Sequence, residues 1–350
     1  MKERLPVAVL GATGAVGQRF IQLLEGHPWF EVAEVAASDR SAGKPYRDAC
    51  AWRLPGSPPP AVADLTVASC EGPFRSRLLF SGLDSSVAGE IEARLAGLGH
   101  AVVSNARNHR MDADVPLLIP EINPGHLAAL DVQRRRTGGG YIVTNPNCSV
   151  VGLAMALAPL HAAFGLEAVA VVTLQALSGA GYPGVASMDI ADNVIPHIGG
   201  GEEEKIETEP RRILGAFEAG GFVPAAFPIS ASVHRVDVSD GHTMAAFVRL
   251  RRKASAEEAV RALAAFTGEP QQRRLPSAPE RPIHVLEQAD RPQPRLDRDR
   301  EHGMAVSVGR VRRDNIFDLK LEALVHNTIR GAAGAAILNA ELLLARDLLP

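Results

Sequence analysis

The segment PVAVLGATGAVGQRFIQLL, Pro6 to Leu24, changes character twice along its length. Pro6–Leu10 is a continuous apolar run of strand length, the texture of a strand covered on both faces. Gly11, Gly14 and Gly17 then punctuate a turn, and from Gln18 to Leu24 the apolar residues recur at helical spacing until Gly26 and Pro28 end the helix. Glu31–Ala37 reads as a second strand. Strand, glycine turn, helix and strand open a doubly wound unit in which the turn approaches a pyrophosphate and the helix N-terminus receives its charge. The spacing is G-x-x-G-x-x-G rather than the commoner G-x-G-x-x-G, and glycine also serves tight βα turns with no ligand. Its place at the first βα junction favours the dinucleotide reading.

The second strand runs into Ser38-Asp39-Arg40-Ser41, where the adenosine ribose of such a cofactor would lie. Asp39 suits a free 2′-hydroxyl and hence NAD. Arg40 between Ser38 and Ser41 suits a 2′-phosphate and hence NADP, and the residues lean that way without deciding it. Beyond a proline-rich loop at 55–60, strands are expected at 78–81, 101–104, 117–119 and 141–143, with a helix over 87–98. The first 147 residues therefore read as a doubly wound Rossmann domain. After that the texture changes. Strands are expected at 168–175, 234–238, 243–250, 283–286, 304–311 and 317–324, with helices over 203–219 and 256–266. This is the pattern of an α+β domain over 148–327 with a mixed or antiparallel sheet. Segment 291–300 is charged and proline-broken, and reads as a solvated loop. Residues 328–350 become a long apolar helix that packs back on the first domain.

At the junction lies Thr144-Asn145-Pro146-Asn147-Cys148-Ser149. Pro146 keeps Asn145 out of the helical region, and Asn147 is a good N-cap for a helix beginning at Cys148. A thiol there meets the positive end of the helix dipole, which favours thiolate, and nearby N–H groups with the Asn147 carboxamide suit an oxyanion. Taken alone, a buried structural cysteine is the commoner reading. A proton-handling partner is offered by His242 in Asp240-Gly241-His242-Thr243, seven residues after Arg235. A tight hairpin would bring Arg235 and His242 to one mouth, but a plain turn with a capping Asp fits the same residues equally well. Gln175, leading into the small-residue stretch Ser178-Gly179, could fix a carbonyl. Arg110 suits an anionic group, although a lone loop arginine is ordinarily surface charge.

The bulk properties exclude several classes. A chain of 350 residues with 46% hydrophobic and 22% charged content has room for two cores, and a net charge of −3 gives no reason to invoke nucleic acid or an anionic membrane. Three cysteines (Cys50, Cys70, Cys148) without CxxC spacing argue against a disulfide framework or a thiolate metal cluster, and no metal is expected. The N-terminus lacks a signal-peptide pattern, and a cytoplasmic location is expected.

Eight segments in order resemble aspartate-semialdehyde dehydrogenase over nearly the whole chain: GATGAVGQRFIQLL, ASDRSAGK, NHRMDADVPLLIPEIN, TNPNCS, LQALSGAGYPG, GEEEKIETEP, HRVDVSDGHT and HNTIRGAAGAA. GEEEKIETEP and HNTIRGAAG are similar to the archaeal and fungal branch. The resemblance implies a Rossmann domain joined to a catalytic and dimerisation domain. It implies NADP-dependent, phosphorylating chemistry linking L-aspartate 4-semialdehyde and L-4-aspartyl phosphate, in the biosynthesis of lysine, diaminopimelate, threonine, methionine and isoleucine. Carried over by position, Cys148 matches the nucleophile, His242 the acid/base and Gln175 the group that orients substrate. Arg235 matches the carboxylate clamp, Glu202 the partner of the substrate amino group, and Arg110 and Lys205 the phosphate site. Gly11, Thr13, Gly14, Ala15, Val16, Ser38, Arg40, Ser41, Ser178, Gly179 and Asn327 match cofactor contacts. The implied partners are small molecules and further copies of the chain, as a homodimer or homotetramer. Two departures stand out: an extra glycine in Gly199-Gly200-Gly201 before Glu202, and Met244 where this branch usually has an acid. A malonyl-CoA reductase-like enzyme would share the thiol and the NADP site but need no free-phosphate site.

Overall fold

The computed structural model describes residues 4–350; the charged residues 1–3 read above for signal-peptide character lie outside them. The apolar runs of the first half form a six-stranded, wholly parallel sheet of β1 (Leu5–Leu10), β2 (Phe30–Ala37), β3 (Val67–Ser69), β4 (Leu78–Ser81), β5 (Ala101–Ser104) and β6 (Tyr141–Thr144), in the order β3-β2-β1-β4-β5-β6. Alternation along β1 explains why its residues are all apolar. Val7 and Val9 join one core with Phe20 and Ile21 of helix Ala15–Leu24, while Ala8 and Leu10 join another with Leu95 and Ala96 of helix Ser85–Gly97. The strand order reverses between β1 and β4, and a ligand crevice opens at such a point. Gly11 follows β1 there at φ +70, where a Cβ would meet the Gly82 carbonyl at 2.7 Å. Only glycine lets the two strand ends come this close.

The segment expected as a strand at 117–119 makes a single bridge, Leu117 to Thr144. Pro116 and Pro120 flank it, and the Asn123 side chain takes the Ile119 N–H and the Leu117 carbonyl that a neighbouring strand would have used.

The second half builds a seven-stranded mixed sheet from β7 (Leu166–Gln175), β8 (Ile195–Pro196), β11 (Ile229–Arg235), β12 (His242–Leu250), β13 (Ile283–Leu286), β14 (Val306–Arg313) and β15 (Leu319–Val325). A small separate hairpin, β9 (Ala216–Glu218) with β10 (Gly221–Val223), occupies the stretch expected to end the helix; that helix stops at Ile213. The sheet order is β13-β14-β15-β12-β7-β11-β8. The hairpin reading of Arg235 and His242 is therefore wrong. β11 ends at Arg235, and β7 lies between it and β12, parallel to the first and antiparallel to the second. The crossing still unites the side chains, because Arg235 pairs in register with Gln175 and His242 opens the strand on the other side.

Helix Cys148–Phe164 packs on this sheet with nearly every residue buried, so its apolar run reflects a core helix. Met244 is fully buried two residues along β12 from His242, and its methyl group lies where a Cβ on Gly152 would come within 2.6 Å. It therefore faces the helix core rather than the pocket. The segment 291–300 is not a solvated loop. Asp297 is 1% exposed and accepts from Arg291, Arg300 and the Gln293 N–H, and the resulting strap lies on the turn before His242. The C-terminal segment begins as a π-helical turn, Ile329–Ala333, and continues as helix Gly334–Ala345, whose Ile337, Leu338 and Leu342 join the first sheet's core.

Candidate active site

Asn147 fixes the start of the helix that begins at Cys148. Its Oδ1 accepts from the Ser149 and Val150 N–H groups at 2.9 and 3.3 Å, as an N-cap should. Its Nδ2 donates to Glu202 at 2.7 Å, so one carboxamide N–H remains for an oxyanion. Cys148 is half-buried, and its Sγ lies 3.1 Å from His242 Nε2. The other ring nitrogen, Nδ1, accepts the Ala176 N–H at 3.0 Å. A Cβ on Gly179 would come within 2.8 Å of Arg235 Nη1 and 2.9 Å of His242 Cε1, and one on Gly331 within 2.9 Å of Cys148 Cβ. Both glycines are needed for these approaches. The π-helical turn thus brings Gly331 against Cys148.

Glu202 is the hub of the polar wall. Its Oε1 accepts from Asn147 and, at 3.1 Å, from Gln175 Nε2, while its Oε2 accepts from Lys205 Nζ at 3.1 Å. Gly199, Gly200 and Gly201, all at positive φ, wind the chain so that Glu202 begins its helix at this point despite the extra glycine. Arg235, 5% exposed, donates to the Ala176 carbonyl at 2.6 Å.

Electrostatics here run against the simplest sequence reading. Burial and the Glu202 carboxylate push the Cys148 thiol up to about 12, outweighing Arg110, Arg235 and the Ser149 N–H. His242 is pulled down to about 3 by burial, then by Arg235 and His326. The site therefore holds a thiol beside a neutral imidazole, not a resting ion pair.

A cleft of about 1170 Å³ runs from the Gly11 turn toward the second domain, lined by Gly11, Thr13, Gly14, Ala15, Val16, Ser38 and Asp39 on one side and Leu177, Ser178 and Tyr182 on the other. No side chain caps helix Ala15–Leu24, so its first N–H groups face the cleft unpaired, as a pyrophosphate requires. The residues thus fit a dinucleotide. Arg40 and Ser41 lie outside the cleft lining, and Arg40 is exposed. Gly179 faces Arg235 and His242 instead. Asn327 stands behind, donating to Ser178 Oγ at 2.8 Å and accepting the Gly241 N–H at 2.8 Å. No group of three or more His, Cys, Asp or Glu among the described residues is arranged to hold a metal ion.

Residues 6–130 match the family model described as "Semialdehyde dehydrogenase, NAD binding domain", and residues 157–330 match "Semialdehyde dehydrogenase, dimerisation domain". An aspartate-semialdehyde dehydrogenase from Methanothermobacter thermautotrophicus is 50% identical over 342 residues, covering 96% of this chain and 98% of its own. The chain belongs to the aspartate-semialdehyde dehydrogenase family. The Saccharomyces cerevisiae relative is 46% identical over 97% of this chain and 98% of its own. Among solved structures, the Candida albicans aspartate-semialdehyde dehydrogenase with NADP superposes with a TM-score of 0.91 at 44% identity, covering 99% of this chain and 100% of that one.

Two contributors to this family member's site were not visible in the sequence. Glu209, 2% exposed and two turns after Glu202 on the same helix, accepts from Arg110 Nη1 at 2.9 Å and from the Asn147 N–H at 2.6 Å. One buried carboxylate thus ties Arg110 to the peptide before Cys148. Arg298, from the strap, donates to the Asp240 carbonyl at 2.9 Å and to Ser239 Oγ at 3.1 Å, holding the turn that carries His242. An i, i+7 pair of acids on a helix opening would have been the only clue to Glu209.

Proposed function

We propose that the chain interconverts L-4-aspartyl phosphate and L-aspartate 4-semialdehyde, with NADP as cofactor and a thioester on Cys148 as the covalent intermediate. The observation that carries this is the Cys148–His242 contact of 3.1 Å at a helix start, with Arg110 and Arg235 acting on the thiol and Ser178 and Asp240, neighbours of the site, lining the dinucleotide cleft. Cys148 supplies the nucleophile, because a thioester accepts hydride far more readily than a carboxylate. In this reading Arg235 clamps the substrate carboxylate and Glu202 takes its ammonium group. The remaining Asn147 N–H is our assignment for the carbonyl oxygen, with Gln175, held by Thr173 and Glu202, orienting the substrate beside the thiol. Arg110, whose buried Nε has no protein partner among the described residues, and Lys205 serve the phosphate. NADP, when bound, supplies or accepts the hydride. The solved Candida albicans relative with NADP supports that cofactor, and the reading assigns its contacts to Thr13, Ser38 and Ser178, which line the cleft.

The dimerisation-domain match supports self-association, and Val172 and Leu174 on β7 are exposed apolar residues suited to the face of a homodimer. No helix among the described residues is long and apolar enough to cross a membrane, and a cytoplasmic biosynthetic role fits the family. The test follows NADPH formation from aspartate semialdehyde with and without phosphate, in the wild type and in Cys148→Ala. Activity that requires phosphate and is lost with Cys148 is expected. Phosphate-independent activity, or preference for an acyl-CoA, would overturn the reading.

A further inference from the structure

Arg330 is 1% exposed, and its Nη2 donates at 2.6 Å to Oε2 of Glu121, whose side chain is fully buried. The other contact of Nη2 is the Met155 sulfur at 3.7 Å. Arg330 Nε and Nη1 and the second Glu121 oxygen have no protein partner among the described residues. A buried ion pair satisfied by one bond is a poor stabiliser, because desolvating both charges offsets their attraction. Its place in the fold suggests another use. Arg330 lies in the π-helical turn Ile329–Ala333, directly before Gly331, which packs against Cys148. Two residues after Arg330, the Ala332 carbonyl accepts Asn145 Nδ2 at 2.9 Å. Glu121 follows the segment that bridges β6 through Leu117 and Thr144, and Gly268 backs it so closely that a Cβ would come within 2.5 Å of the Glu121 Cα. Met155 stands two turns along the helix that Cys148 opens. One guanidinium thus joins three segments that meet at the thiol. A π-turn holds one residue more than an α-turn, so something outside it must keep it wound that way. Relaxing it would rotate the residues beyond by about 100° and set a neighbour of Gly331, each bearing a Cβ, against Cys148.

We propose that Arg330 and Glu121 are positioning residues for Cys148: the pair pins the π-helical turn so that Gly331 and the Ala332 carbonyl hold Cys148 and Asn145 in place, and with them the thiol's aim at His242. This deepens the acyl-transfer reading above and rests on it only for the kinetic arm of the test. Neither residue lines the dinucleotide cleft, and neither is among the charged groups acting on the thiol, which are Glu202, Arg110 and Arg235. The pair therefore acts through geometry alone. Burial and Glu202 hold the thiol up, and a thiol released from its place returns toward the ordinary cysteine value.

The deciding variant combines Arg330→Met with Glu121→Leu, which removes both charges and nearly keeps the volume. Apolar replacement of a buried pair is often neutral or stabilising, so the double variant should melt at or above the wild-type temperature. Its kcat should nonetheless fall by roughly ten- to a hundredfold with KM for NADP unchanged, the mark of a misdirected nucleophile. In the absence of substrate, alkylation of the Cys148 peptide by iodoacetamide should show a pH inflection about one unit below that of the wild type. Arg330→Lys keeps the cation, and because the contact is a single bond rather than a fork it should recover most of the wild-type behaviour in both assays. A double variant that melts well below wild type would make the pair a stabiliser of the core and overturn the proposal. So would a stable double variant with wild-type kcat, or one whose alkylation profile is unchanged. Because the alkylation arm needs no substrate, it decides the thiol's placement even if aspartate semialdehyde proves not to be the substrate, an outcome the wild-type assay reports separately.

Discussion

Replacing Glu209 with glutamine changes one buried carboxylate oxygen into an amide nitrogen and removes the charge opposite Arg110. In the native site the carboxylate accepts two donors, Arg110 Nη1 at 2.9 Å and the Asn147 N–H at 2.6 Å, and both Glu209 and Arg110 are under 10% exposed. An amide can accept only one of them and must turn its own N–H groups toward the other. Removing one member of such a buried pair costs about 3–5 kcal/mol, which for a protein of this size is a fall in Tm of about 4–7 °C. The strain falls on Arg110 and on the peptide before Cys148, so kcat and the KM for phosphate should both suffer, with KM for NADP little changed. Thermal unfolding of wild type, Glu209→Gln, Arg110→Met and the double variant forms the cycle that isolates the interaction. The double variant should be clearly less destabilised than the sum of the singles. Additive losses, or a Glu209→Gln protein melting within about 2 °C of wild type, would show that the link is not energetically real.

Three further outcomes follow from the same geometry. Gly179→Ala places a methyl group against His242 and Arg235, and should lower kcat by roughly ten- to a hundredfold as the histidine's bond to sulfur is lost; steady-state kinetics with unchanged melting would show it, and full activity would refute the close approach. Glu202→Gln removes a charge that holds the thiol up, so the inflection in the pH dependence of Cys148 alkylation by iodoacetamide should move down, and an upward move would contradict the electrostatics. His242 lies near 3 when folded against an ordinary value near 6.5, so below pH 6.5 the unfolded chain takes up a proton that the folded one refuses. Stability should fall by about 2 kcal/mol between pH 7 and 5 from this residue, with buried His326 adding in the same sense. Denaturant titrations of His242→Gln should lose that portion of the slope.

The first domain was legible because its strands are buried on both faces and its helices are amphipathic, so period and position agree from Pro6 to Ala37. The turn before Cys148 was legible for the same reason: Pro146, Asn147 and the apolar run after it each specify a local conformation. What failed was non-local. Nothing in the short span from Arg235 to His242 reveals that β7 lies between their strands, and a hairpin is the cheaper guess when only sequence separation is known. The 291–300 strap looked solvated because its charges are many, yet Asp297 gathers them inward. Met244 looked like a lost pocket acid until Gly152 showed which face it packs on. The thiol's environment was misjudged because the helix dipole is readable from sequence, whereas burial and an opposed Glu202 are not.

The most direct test of a covalent role for Cys148 is intact-mass and peptide-mapping mass spectrometry of enzyme mixed with NADP and aspartate semialdehyde in phosphate-free buffer and quenched in acid. The geometry predicts an aspartyl thioester on the Cys148 peptide, absent in Cys148→Ser and discharged when phosphate is added before the quench. NADPH formation with Cys148 unmodified, or an adduct that phosphate does not release, would contradict it.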